Sequence, residues 1–238
     1  MLIPFLFTVF ESFLFPANIL SENQFNPASL YQEQFQINLS TEVKFSLSDL
    51  RTYTLYSEIK SYSLNIASFG NDLYRENVVG FGFGFPLIRN FAAGLHISLV
   101  NYWIKDYYSH YGYSLRIGGV FENSPIEIDG WINNINVPKF SDIDYLPLTY
   151  SVRCNYWTME NLSFDFGVRG IETDLPFFKF GLFYAPIKII KFGVGVNTEP
   201  LLLEYSLEIY LGELTLNYFG SNHHQLGLSH SLGVGFNL

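Results

Sequence analysis

A period of two runs through nearly the whole chain after its first 21 residues, and no other feature of the sequence restricts the fold as much. In the stretch Val79 to Phe85 one parity reads Val79, Phe81, Phe83, Phe85 and the other Gly80, Gly82, Gly84. Successive side chains of a strand point to opposite faces, so such a segment has one bulky apolar face and one nearly bare face. The split recurs in Phe91, Ala93, Leu95, Ile97, Leu99 against Ala92, Gly94, His96, Ser98. It recurs again in Leu162, Phe164, Phe166, Val168 against Ser163, Asp165, Gly167, Arg169, and in Leu232, Val234, Phe236 against Gly233, Gly235. From Gln34 onward the segments number about 14, each of roughly 7 to 13 residues, and none has a helical period.

The connections alternate in length. Short ones fall near Lys60, Pro86 to Asn90, Glu122 to Ser124, Thr158 to Glu160, Ala185 to Pro186 and Gly212. Between them lie longer ones: Thr41 to Leu50, Gly70 to Arg75, Lys105 to His110, Asn134 to Leu146, Gly170 to Leu175, Asn197 to Pro200 and Gly220 to Gln225. Tight turns alternating with longer loops are the pattern of an outer-membrane barrel, with both termini on the periplasmic side. A soluble sandwich would bury the apolar parity, but its exposed parity would carry more charge than the 15% found in the whole chain. A propeller would need a repeat of about 40 residues, and none is present. About eight strands can fill a barrel with side chains, whereas about 14 enclose too much space, so the apolar parity points outward. The expectation is an all-β, transmembrane antiparallel up-and-down β-barrel of about 14 strands in the bacterial outer membrane, with outer-membrane lipid as its surroundings.

The opposite parity then faces the lumen. It supplies Gly, Ser and Asn together with isolated charges, and the lumen-lining candidates are Arg116, Glu127, Asp129, Arg153, Asp165, Arg169, Lys191 and Glu208. Charges of both signs on adjacent strands either line a conduit or cross-link it shut. Aromatic residues at strand ends, Tyr102, Trp103, Tyr107, Tyr108, Tyr156, Trp157, Tyr184 and Tyr218, fit interfacial girdles. In the loop Asn71 to Glu76 an Arg75–Glu76 pair is expected to stiffen the rim by at most about 1 kcal/mol.

Residues 1–21 are apolar apart from Glu11 and read as an export signal or an N-terminal apolar segment, although no Lys or Arg follows Met1. Residues 22–33 are expected to be a short periplasmic or plug segment, and 34–238 the barrel. With 13 basic against 22 acidic residues and a net charge of -9, the chain is not built for nucleic acid. Its single Cys154 allows no internal disulfide. His223, His224 and His230 have no carboxylate or thiol at ligand spacing, and neither a metal nor a cofactor is expected. Ser109 and His110 adjoin in a loop, but neighbours in sequence do not supply nucleophile-to-base geometry, so catalysis is the least favoured reading.

Three motifs carry a resemblance. Asn26-Pro27-Ala28-Ser29-Leu30 before the first strand, Phe69-Gly-Asn-Asp-Leu-Tyr-Arg-Glu76 after the third, and Leu226-Gly-Leu-Ser-His-Ser-Leu232 near the end resemble the PorV/PorQ-type outer-membrane proteins, distant relatives of the FadL long-chain fatty-acid transporters. The resemblance implies a 14-stranded barrel, with secretion-system components as partners in some members and uptake of hydrophobic small molecules in the FadL branch. Only about ten residues separate the apolar leader from Asn26, where such proteins usually carry a longer Gly-, Ala- and Met-rich segment, so the inner plug is expected to be reduced or lost. The functional expectation is accessory work in secretion or surface delivery, or passage of small hydrophobic solutes. A closed-lumen structural or adhesion barrel is the alternative, and a barrel hydrolase comes third.

Overall fold

The structure is a computed structural model that describes residues 26–32, 34–140, 145–172, 174–198 and 201–237. The expected export signal, residues 1–21, lies outside the described residues. Fourteen antiparallel strands form a closed barrel in strict sequence order, each pairing with the next and the last with the first. They are β1 (Gln34–Val43), β2 (Arg51–Lys60), β3 (Tyr62–Gly70), β4 (Tyr74–Ile88), β5 (Phe91–Ile104), β6 (Tyr108–Asn123) and β7 (Ile126–Asn133). The second half comprises β8 (Thr149–Met159), β9 (Leu162–Ile171), β10 (Phe177–Ile187), β11 (Ile190–Thr198), β12 (Leu201–Leu211), β13 (Leu214–His223) and β14 (Gly227–Asn237). β1 closes on β14 from Gln36↔Asn237 to Val43↔His230, so no sheet edge remains along the seam. Closure satisfies the strands' backbone within the sheet, as a wall without access to water requires.

The alternation read from the sequence is the alternation of faces. Phe81 is 52% exposed on the outside, whereas the inward-facing Val78 and Val100 are buried. The outer wall is a continuous apolar skin of Leu, Ile, Val and Phe, the surface that lipid rather than water accommodates. Short turns and both described chain ends gather at one end of the barrel, and the long loops gather at the other. Pro186 stands inside β10 rather than in a turn. A register shift between Tyr184 and Ile187 accommodates the residue that cannot donate to the ladder.

Two stretches outside the wall fill the ends of the lumen. At the short-turn end, Pro27–Gln32 forms a 3-10 helix inside the barrel, with Asn26, Pro27, Ala28 and Leu30 buried. Its seat is the bare parity of β4, β5 and β6. A Cβ added at Gly84, Gly94 or Gly118 would overlap Asn26, Pro27 or Leu30, so glycine there lets backbone lie on backbone. At least residues 26–32 therefore lie within the barrel, short as the segment is.

At the long-loop end the β7–β8 connection turns inward. β7 is only eight residues long and leaves β6 at Arg116↔Asn133, so Tyr108 to Leu115 of β6, paired with β5 on one side, have no strand on the other among the described residues. Asn136 serves that edge instead: its Oδ1 accepts from Leu115 N at 2.9 Å and its Nδ2 donates to Tyr113 O at 2.6 Å. The fully buried Asn134 accepts from Ser114 Oγ at 2.6 Å and donates to Pro147 O at 2.8 Å, which ties the base of the loop together.

Candidate functional site: the barrel interior

The expected lumen residues divide into three groups. On β7, β8 and β9, Arg153 gathers three carboxylates: its Nε lies 2.6 Å from Asp129 Oδ2 and 3.6 Å from Asp165 Oδ2, and its Nη2 lies 3.5 Å from Glu127 Oε1. Arg153, Asp129 and Asp165 are buried, a setting in which a charge must be paired to be tolerated. Asn26 of the inner segment joins this group, its Nδ2 donating to Asp129 Oδ1 at 3.4 Å and to the carbonyls of Gly119 and Gly130 at 3.1 and 3.3 Å. Gln32 adds a second tie, from its Nε2 to Glu122 Oε1 at 2.9 Å.

The second group, one level nearer the long loops, is cationic and aromatic. The Arg116 guanidinium lies 4.9 Å from the Trp131 ring centre and Arg169 lies 5.7 Å from it, and Arg116 Nε donates to Asn133 Oδ1 at 3.2 Å. Planar guanidinium stacking on an indole face suits both groups, because it covers the cation without removing its hydrogen-bonding edge. The third group lies on β10 to β12. Lys191 Nζ is 3.5 Å from Glu208 Oε1, and Tyr210 donates to Glu208 Oε2. Lys179, a residue the sequence reading passed over, reaches Glu204 at 3.9 Å across the bare Gly195 of β11.

The interior is not only polar. Ala67, Phe69, Val78, Val100, Tyr102, Trp131 and Leu146 form one buried apolar cluster beneath the long loops, with Leu50, Tyr74, Ile104 and Phe140 packed against it. Tyr102, expected in the interfacial girdle, is instead 2% exposed inside the barrel. It packs edge-on against Phe140 at 4.9 Å and stacks on His110 at 5.2 Å. The β7–β8 loop thus supplies the ring that closes this cluster, an aromatic chamber filled by its own side chains. Parity identifies the faces but not which inward aromatics find partners, and Phe140 lies far from Tyr102 in the chain.

One expectation at the rim fails. Arg75 and Glu76 are adjacent on β4, so they point to opposite faces and cannot pair. Arg75 contacts Asp72 at 3.6 Å, while Glu76 is fully buried inside and accepts a hydrogen bond from Tyr74 OH at 2.5 Å. Ser109 and His110 separate likewise: Ser109 Oγ accepts from Asn101 Nδ2 at 2.8 Å on the outer face, and His110 stacks on Tyr102 within. A Ser-His-Asn chain does exist elsewhere, with Ser98 Oγ 3.1 Å from His96 Nδ1 and His96 Nε2 2.9 Å from Asn65 Oδ1. Asn65 Oδ1 can only accept, so Nε2 carries the proton and Nδ1 accepts from Ser98. The ring is wedged against Gly80, and Leu30 lies over the neighbouring Gly82, which leaves no room for a substrate carbonyl. A concavity of about 750 Å³ across the β14–β1 seam is lined by Leu39, Leu55, Leu216 and Leu232 of the outer parity, and so belongs to the lipid face rather than the lumen.

No family model matches the chain, and no curated protein matches it in sequence. Among solved structures it is similar to the CymD monoaromatic hydrocarbon channel, with a TM-score of 0.60 and 10% identity over 91% of each chain. It is similar to the Ralstonia pickettii toluene transporter TbuX, with a TM-score of 0.62 and 9% identity over 90% of this chain and 92% of that one. A third likeness is to the Acinetobacter baumannii outer membrane protein Omp33, with a TM-score of 0.56 and 9% identity over 87% of this chain and 98% of the other. At such identities the likeness is one of fold, and that fold is the bacterial outer-membrane barrel.

Proposed function

We propose that the protein is an outer-membrane barrel through which small hydrophobic solutes pass, using the aromatic chamber beneath the long loops as their station. The observation that carries this reading is the buried apolar cluster inside the lumen, covered by Phe140 and Leu146 of the β7–β8 loop. A barrel that conducted water and ions alone would have no use for Phe69, Val78, Val100 and Tyr102 turned inward, since apolar side chains in a hydrated lumen forfeit their burial. The chamber adjoins the place where β7 ends early, so the loop, not a strand, separates it from the surroundings. CymD and TbuX, of like fold, are named for monoaromatic hydrocarbons and toluene.

The test is the initial uptake of radiolabelled toluene and p-cresol by Gram-negative cells expressing the barrel, whose lipopolysaccharide leaflet resists such solutes. Uptake several times that of cells with an empty vector is expected, falling in Val100→Glu. Equal uptake by both strains would end the proposal. A closed barrel without transport is the second reading, favoured by the paired interior charges and the seated segment 26–32. It predicts no uptake together with no conductance in planar bilayers. The secretion role that the PorV/PorQ resemblance implies is separable from both, because it predicts loss of a surface-delivered reporter when the gene is deleted, whatever the uptake.

A further inference from the structure

Glu76 is the carboxylate set directly among the rings of the aromatic chamber, on an inner row that also carries Glu42 three strands away. It sits between its cross-strand neighbours Phe69 and Tyr102, with the row Ala67, Val78 and Val100 beneath it, and it is fully buried. One carboxylate oxygen, Oε1, accepts from Tyr74 OH at 2.5 Å. The other, Oε2, has no hydrogen-bond partner among the described residues. A buried acceptor left unmatched is costly, and an apolar residue of similar size would fill the same space without that cost. A purely hydrocarbon solute would gain nothing from it.

We propose that the chamber selects aromatic solutes bearing one hydrogen-bond donor, a phenolic hydroxyl or an ammonium group, and that Glu76 Oε2 is the acceptor that recognises it. The ring of the solute inserts among Phe69, Tyr102 and Trp131, taking over the edge-to-face contact with Tyr102 that Phe140 now makes, and its donor points to β4. A site built to accept a hydrogen bond rejects the analogue that lacks the donor, because its own acceptor then stays unmatched. This deepens the reading of the chamber as the solute's station and rests on it.

The experiment uses the full-length protein in detergent with Trp103→Phe and Trp157→Phe, so that Trp131 alone reports on the chamber. Three probes of similar shape are titrated: toluene, p-cresol and benzylamine. The proposal expects p-cresol or benzylamine to bind at least ~10-fold tighter than toluene, as one hydrogen bond to a buried acceptor otherwise left unmatched implies. It expects Glu76→Leu to bring the three within about twofold of one another. Glu76→Gln keeps an acceptor but cannot ionise, so retention of p-cresol supports recognition of a neutral donor, and loss of benzylamine alone assigns the ammonium to an ion pair. Heat-modifiable migration on a denaturing gel verifies that each variant is folded. Equal affinities in the parent protein, or an unchanged ranking in Glu76→Leu, would overturn the proposal. Donor-selective binding without uptake of p-cresol by cells would overturn passage and leave the recognition by Glu76 standing.

Discussion

Replacing Gly94 by Ala is the sharpest test of how the interior is closed at the short-turn end. The added methyl would overlap the main-chain carbonyl of Pro27 and the amide of Ala28, both backbone atoms that cannot rotate aside. Carbon contacts settle at about 3.5–4.0 Å, so the segment must retreat by about 1 Å or more. The three hydrogen bonds from Asn26 Nδ2 to the wall, at 3.1, 3.3 and 3.4 Å, are already near the limit of useful length, and such a retreat breaks them. Neutral bonds contribute about 1 kcal/mol each and a bond to a carboxylate about 1.5–3 kcal/mol, and their long geometry puts the combined loss near 2–4 kcal/mol. The ratio of seated to released segment should therefore fall by about 30-fold to 10³-fold. Gly167→Ala is the control, since it lies on the same inner parity but its new methyl would find its nearest neighbours at 3.6 and 3.7 Å, ordinary contact distances.

The assay is maleimide labelling of Ala28→Cys, a position with no exposure in the seated segment, in a background where Cys154 is replaced by Ser. Labelling should be slow in the parent and in Gly167→Ala, and fast in Gly94→Ala, with all three barrels folded. Equal labelling rates in the two glycine variants would refute the glycine seat, and with it the reason offered for the bare face of β4, β5 and β6.

Three further outcomes follow from the geometry. Phe81 is the central residue of β4 on the outer face, so Phe81→Arg should cost about 2–4 kcal/mol in urea titrations of the barrel folded into vesicles, whereas on a water-facing wall the change would be harmless. Arg153→Met strands Glu127, Asp129 and Asp165 without their cation, and a loss of about 3–5 kcal/mol is expected in the same titration; a loss below 1 kcal/mol would mean that the carboxylates are not held by Arg153. Arg75→Ala should leave the midpoint unmoved, because its partner Asp72 is fully exposed, and a clear shift would point to an interaction of Arg75 other than that pair.

The wall of this barrel was readable from sequence because lipid imposes one demand on every strand, and a demand repeated at every second residue leaves a period. The interior obeys no such rule. Each inward residue answers to partners brought from elsewhere: Gly94 to Pro27 and Ala28, Tyr102 to Phe140, Asp129 to Asn26 and Arg153. Inward glycines therefore read as empty space when they are a seat for backbone, and inward aromatics near strand ends read as a girdle when they are the lining of a chamber. The rim pair has the same origin in reverse, since Arg75 and Glu76 are neighbours in the chain while β4 holds them on opposite faces. The parity that exposed the wall also puts Phe69, Glu76, Tyr102 and His110 on one inner row, a juxtaposition visible only once the register of β3 to β6 is known. Sequence alternation assigns the face, register assigns the neighbour, and it is the neighbour that gives the buried carboxylate of Glu76 its apolar surroundings.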